Sequence, residues 1–169
     1  MAQGTHSVAV PLTSPGATGM ETAENKALAG RFYEEVWNRG NLDVCLELFT
    51  DDWIRHDLRP TQALPGPHGM MKIAGDFRRA FPDLRFAVDL ILAEDDLVAA
   101  RWTAEGTFTG PWGELEPTGK HARFSGVNIF RLRNGRICEM WNHRDDFGLM
   151  QQVGAPVYAG AAPETKDAR

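Results

Sequence analysis

The tripeptide Arg133-Asn134-Gly135 constrains this chain more than any other feature. It separates two runs, residues 124–132 and 137–144, in which apolar and polar side chains alternate. Asn-Gly between alternating runs is a strong local signal for a β-hairpin. Two turns fit it. A two-residue type I′ turn pairs Arg133 with Arg136, whereas a three-residue turn with Gly135 left-handed pairs Leu132 with Arg136. A strand's side chains alternate with a period of two, so the turn decides which residues share a face. The three-residue turn sorts the chemistry better and is the expectation carried forward. It gathers Gly126, Asn128, Phe130 and Leu132 with Cys138, Met140, Asn142 and Arg144. That face is apolar near the turn and polar away from it, as the wall of an opening pocket is. The other face carries Ser125, Val127, Ile129 and Arg131 with Ile137, Glu139, Trp141 and His143, a mixture suited to a second subunit.

Upstream, residues 22–38 place Leu28, Phe32, Val36 and Trp37 at helical spacing. Thr22 is positioned to cap this helix, and Arg39-Gly40-Asn41 to stop it. A short second helix is expected over 42–49, with Leu42, Cys45, Leu46 and Phe49 on one side. An extended piece over 53–58 and a Pro-rich loop over 60–67 follow. The spacing then predicts a third helix over 68–81, striped by Met71, Ala74, Phe77 and Phe81 and ended by Pro82. Everything beyond reads as strand: 85–93, a turn at Asp95-Asp96, 97–107, a loop over 110–120, and the hairpin. Helices followed by an antiparallel sheet make an α+β domain with the helices on one face. Residues 1–20, rich in Ser, Thr, Pro and Gly, read as a disordered arm and 155–169 as a tail, leaving 21–154 as the domain.

Several function classes are excluded on composition. A chain of 169 residues fits one domain and can bury a core without staples. The net charge is −5 and the Lys and Arg residues form no stripe, which argues against nucleic acid as a partner. No apolar run is long enough to cross a bilayer, and the N-terminus has no secretory pattern, so a cytoplasmic protein is expected. Cys45 and Cys138 lie far apart inside apolar segments and read as buried thiols in a reducing compartment. His56, Asp57, His68 and Asp145 lack metal-site spacing. His68 and His121 read as surface residues, and no glycine fingerprint for a nucleotide is present.

The hairpin region resembles a known family. Gly106-Thr107 with Gly110, then Pro117-Thr118-Gly119-Lys120, is similar to a pattern in SnoaL-like proteins of the NTF2-like superfamily. Phe130-Arg131, Asn134-Gly135-Arg136-Ile137, Glu139, Trp141, Asp145, Gly148-Leu149 and Gln152-Val153-Gly154 continue it. Residues 49–56 resemble the family's early segment, and the likeness spans about 21–154. It implies a cone-shaped, curved antiparallel sheet covered by about three helices around a deep apolar cavity. It also implies homo-oligomers, dimers or tetramers, formed through the outer face of the sheet. Members act on aromatic polyketides. One branch closes an anthracycline ring by aldol chemistry; another is linked to hydroxylation of anthracycline rings, with a partner reductase and no bound metal or flavin.

The aldol cyclases align an aspartate with Asn142 and a histidine with Asn128, and an amide does not transfer protons near neutral pH. The string Trp141-Asn142-His143-Arg144-Asp145-Asp146 looks more like the hydroxylase-linked branch. The resemblance therefore implies a tailoring enzyme that hydroxylates a hydrophobic polycyclic substrate without a cofactor. Asn128 and Asn142 would hold ring oxygens, Arg144 would take developing charge, and His56 would move protons. Phe130, Met140, Phe77 and Asp146 complete the expected substrate site. Two other readings stand beside this one. A cyclase or isomerase would use another acid/base, such as His56 with Asp57, or Asp146; a non-catalytic module would only hold a hydrophobic ligand. Each site residue also has a plainer role: Asn128 and Asn142 satisfying each other, Arg144 pairing with Asp145 or Asp146, His56 structural.

Overall fold

The structure, a computed structural model, describes residues 19–56 and 64–155. The expected arm and tail lie almost wholly outside these, as does Asp57. Helix α1, Gly19–Arg31, begins three residues before Thr22, which is therefore interior and not a cap. The helix widens into a π-helical stretch, Phe32–Asn38, closed by the Arg39 amide donating to the Glu34 carbonyl. Phe32, Tyr33, Val36 and Trp37 are all buried there. The expected second helix is a 3-10 turn, Leu42–Val44, and a single α turn, α2, Cys45–Leu48. Phe49 already opens strand β1, Phe49–His56, which is longer than the sequence suggested. Helix α3, Gly66–Ala80, starts at the glycine before Pro67 and buries Met70, Ala74, Phe77 and Ala80; Met71, expected in the stripe, is only partly buried.

Strands β2 (Arg85–Glu94), β3 (Leu97–Thr107), β4 (His121–Arg133) and β5 (Arg136–Arg144) follow, near the expected positions. The sheet order is β1-β5-β4-β3-β2. Neighbours among β2 to β5 are antiparallel, and β1 adds a parallel edge beside β5. Helix α4, Asp146–Val153, was not read from the sequence, although both its ends are signalled. The Asp145 carboxylate accepts from the Gly148 amide at 2.8 Å, and Gly154 closes the helix in the left-handed region at φ 74°. Among the described residues no helix is long and apolar enough to cross a membrane.

The hairpin corrects the expected turn and keeps most of the expected faces. Asn134 and Gly135 both have positive φ, 53° and 70°, and Arg133 pairs with Arg136: the two-residue turn. Alone it would set even-numbered residues of β4 against odd-numbered residues of β5. A bulge intervenes. Leu132 pairs with Ile137 but Arg131 pairs with Glu139, leaving Cys138 as the extra residue. Beyond it Phe130 faces Met140, Asn128 faces Asn142 and Gly126 faces Arg144. The pocket face is thus as expected except beside the turn, where Ile137 enters the core and Cys138 stays outside the core cluster. Both cysteines are free and buried.

The helices pack on the face that carries Trp102, Phe130 and Met140, and one aromatic-rich core fills the space between. Phe32 sits edge-on to Tyr33, Trp37, Phe49 and Phe130 at 5.2 to 6.0 Å between ring centroids. Such contacts add about 0.5–1.5 kcal/mol per pair beyond simple burial. The opposite face leaves Leu90, Leu92, Ile54 and Val127 exposed, with Ile129 and Trp141 half-buried. This is the face to which the sequence assigned a subunit contact.

Candidate functional site

Between the helices and the sheet lies a cavity of about 600 Å³. Its helical wall is aromatic, with Phe32, Tyr33 and Trp37 from the π-helical stretch and Met70 and Phe77 from α3. Asn128, Met140, Asn142 and Arg144 line the sheet wall, each placed there by the alternation that the bulge at Cys138 restores. Trp112, from the β3–β4 connection, stands over Phe77 at 5.1 Å and closes one side.

Asn128 is the buried polar residue among those described, 4% exposed. Its Oδ1 accepts from Trp102 Nε1 at 2.7 Å and from Asn142 Nδ2 at 2.8 Å. Asn142 Oδ1 in turn accepts from an Arg55 guanidinium nitrogen at 3.3 Å, and Asn128 Nδ2 leans on Met140 Sδ at 3.2 Å. The indole and the guanidinium only donate, so the chain fixes both amide orientations. The plainer reading of the amide pair and its placement in the cavity are both correct: the two asparagines satisfy each other, and both line the cavity.

Gly126 makes this network fit. A Cβ there would stand 2.4 Å from Trp102 Cζ2 and 2.5 Å from the His143 carbonyl oxygen, so only glycine lets the indole lie across β4.

Arg144 donates to Asp146 Oδ1 at 2.6 Å through Nε, the pairing the sequence offered as its structural role. Its guanidinium also lies over Phe77 and Trp112, at 4.9 and 5.4 Å from the ring centroids. Asp146 starts α4, is held on Arg144 and is not a lining residue. Phe130 is wholly buried behind the wall, not on it.

His56 does not reach the cavity, which corrects the proton-moving role assigned to it. Strand β1 pairs Arg55 with Met140 and His56 with Trp141. Arg55 therefore shares the inward side, and His56 shares the outer one. There His56 stacks on Trp141 at 4.6 Å and contacts Glu139 Oε2 at 2.8 Å. Burial works against the Glu139 carboxylate, but hydrogen bonds from His56 and Arg131 outweigh it and hold its pKa below the usual range.

Arg55, Tyr33, Trp102 and Trp112, like Asp76 and Arg79, are among the cavity residues that sequence reasoning missed. Three guanidinium groups, of Arg55, Arg79 and Arg144, line the cavity against one carboxylate, Asp76. Lys72 and then Arg79 hydrogen-bond Asp76 and keep its pKa low, so it is ionised near neutrality. Burial drives the Tyr33 phenol well above its ordinary pKa, so it remains protonated. The cavity thus pairs an apolar slot for a flat ligand with N–H donors along one wall. Among the described residues no group of three or more His, Cys, Asp and Glu side chains is placed to hold a metal ion.

Comparison with known proteins agrees with this architecture. The profile of the SnoaL-like polyketide cyclase family matches residues 27–153. AclR, a candidate hydroxylase from Streptomyces galilaeus, is 30% identical over 79% of this chain and 97% of its own, with a TM-score of 0.68. IdmH, a candidate polyketide cyclase from Streptomyces antibioticus, is 28% identical over 78% of this chain and 99% of its own, with a TM-score of 0.65. A candidate polyketide cyclase from Bacillus cereus ATCC 10987 is 26% identical over 83% of this chain and 87% of its own, with a TM-score of 0.71. No curated protein matches the chain significantly.

Proposed function

From the premise that the chain belongs to the SnoaL-like polyketide cyclase family, we propose that it hydroxylates a polycyclic aromatic polyketide of the anthracycline type. A partner reductase delivers two electrons and two protons to the quinone. The resulting dihydroquinone, bound in the cavity, reacts with dioxygen at a ring carbon. One oxygen atom remains as a hydroxyl, the other leaves as water, and the ring returns to the quinone level. The substrate is the electron donor, so the protein's part is to bind, orient and exclude water.

One observation supports this reading: Asn128 and Asn142, the positions the resemblance aligns with the proton-transferring pair of the aldol cyclases, are hydrogen-bonded amides lining the cavity. Arg55 and Arg144 supply fixed positive charge beside it, which favours the dihydroquinone anion that reacts with oxygen. Similarity to AclR supports the same direction. The test is incubation of an anthracycline aglycone with a quinone reductase, NADPH and ¹⁸O₂, read by mass spectrometry. Gain of one labelled oxygen is expected. Turnover of pre-reduced substrate in rigorously anaerobic buffer overturns the proposal.

A second reading, cyclase or isomerase chemistry, has Asp76 in its favour, an ionised carboxylate that lines the cavity. A product of unchanged mass, or one lacking only water, selects it.

A further inference from the structure

We infer that the Tyr33 hydroxyl is a specificity-determining hydrogen-bond donor to an uncharged carbonyl oxygen of the bound ligand, at the helical wall of the cavity. Tyr33 lines the cavity and is 2% exposed, and its hydroxyl has no hydrogen-bond partner among the described residues. A buried hydroxyl left without a partner costs about 1–3 kcal/mol, whereas the two amides of this cavity satisfy each other. A packing role alone would be met as well by phenylalanine, which the neighbouring Phe32 illustrates.

The surroundings select the kind of acceptor. The Tyr33 ring packs among Phe32, Phe86 and Phe130 at 5.2, 5.9 and 6.2 Å, with no cationic side chain in that aromatic group. An anion is costly to bury there, whereas a ketone or quinone carbonyl accepts one neutral O–H bond at little desolvation cost. Because burial keeps the phenol protonated, it remains a donor at any working pH. The sheet wall provides the complement, with charged donors from Arg55 and Arg144. A flat ligand is thereby read at two ends. A neutral carbonyl lies toward the helices, and an electron-rich or anionic oxygen lies toward the sheet. Tyr33 sits in the π-helical stretch, a local widening that recurs at functional sites.

The inference rests on the proposed function only in taking a polycyclic carbonyl compound as the ligand, and its test needs neither oxygen nor turnover. Anthraquinone-2-sulfonate and anthracene-2-sulfonate are matched probes, alike in shape and charge and different in their carbonyls. Binding of each to the full chain is followed by quenching of tryptophan fluorescence. The wild type should prefer the quinone by roughly tenfold, and Tyr33→Phe should cut that preference several-fold while leaving anthracene binding unchanged. Thermal stability of Tyr33→Phe should be unchanged or higher, because the substitution removes an unpaired buried hydroxyl. Absence of a quinone preference in the wild type, or an equal loss for both probes in the variant, overturns the inference. A preference that depends on Tyr33, found together with failure of ¹⁸O incorporation, removes the hydroxylation reading and leaves this one standing.

Discussion

Replacing Gly126 with alanine tests the geometry that aims the amide pair. Inside a strand, Gly→Ala ordinarily gains about 0.5–1 kcal/mol of stability. The opposite sign is expected here. The new methyl would meet Trp102 Cζ2 at 2.4 Å and the His143 carbonyl oxygen at 2.5 Å. Neither neighbour yields readily. The carbonyl belongs to the β4–β5 ladder, and the indole is 2% exposed, bonded to Asn128 and packed on Phe86 at 4.8 Å. Forcing them apart costs about 1–3 kcal/mol, by analogy with overpacked cores. Pulling Nε1 from Asn128 leaves a buried donor unpaired for about 1–3 kcal/mol more. After subtracting the usual gain, the net loss is about 1–5 kcal/mol, a fall in Tm of roughly 10 °C at the middle of that range for a domain of this size. Thermal melts by circular dichroism read it. The same substitution in a Trp102→Phe background should cost less, because the smaller ring lacks the carbons nearest the methyl. A Tm within about 2 °C of the parent, or an equal loss in both backgrounds, refutes the reasoning.

Two further outcomes follow from the placement of other groups. His56→Ala should leave ligand binding and turnover within about twofold of the wild type and cost under about 1 kcal/mol, since the half-exposed His56–Glu139 contact lies on the outer face; a tenfold loss of kcat would return His56 to the chemistry. Burial pushes the Cys45 thiol from 9.0 up to about 12, so between those values the folded chain keeps a proton that the unfolded chain releases, and stability falls as pH rises from 9 toward 12. Urea titrations across that range should show Cys45→Ala lacking the part of the decline that begins near 9, and an identical slope in the variant would exclude burial of this thiol as its cause.

What the sequence made legible is what a period determines over many residues. The even-numbered side of the last hairpin, with Asn128, Met140, Asn142 and Arg144, could be assembled from alternation alone. The mechanism that preserves it could not. Asn134-Gly135 fits two turns equally well, and the extra residue at Cys138 leaves no mark in the apolar pattern. Strand β1 shows the same limit at closer range. Trp53 and Ile54 are both apolar, so the pattern does not say which faces inward. In the fold Trp53 is buried and Ile54 is 54% exposed, which sends Arg55 in and His56 out. A histidine drew attention because of its chemistry, and the residue beside it occupies the cavity. Trp112 was invisible for another reason. It lies in a connection with no period, where a short bridge to Leu115 and ring contacts with Phe81 and Phe108 place it over Phe77. Helix α4, by contrast, carried readable caps in Asp145 and Gly154 and was missed because its apolar stripe is short.

The hydrogen bonds of the sheet wall run in one sense, and that sense bears on the chemistry. Arg55 donates to Asn142, Asn142 donates to Asn128, and Trp102 donates to Asn128 from the other end. Both ends of the chain are obligate donors, and the Asn128 oxygen already accepts two bonds. A proton relay needs groups that give and take in turn, and none of these four does so near neutral pH. The wall can therefore hold electron-rich oxygen atoms through Arg55 and the second N–H of Asn142, and it can stabilise charge that develops on them. It has no means of withdrawing a proton from a ring carbon. Two amides at the positions the resemblance aligns with titratable side chains of the aldol cyclases thus change more than one residue's pKa. Under the proposed function such a wall fixes an already activated ligand whose own electrons supply the activation, whereas the cyclase or isomerase reading would place that task on Asp76 across the cavity.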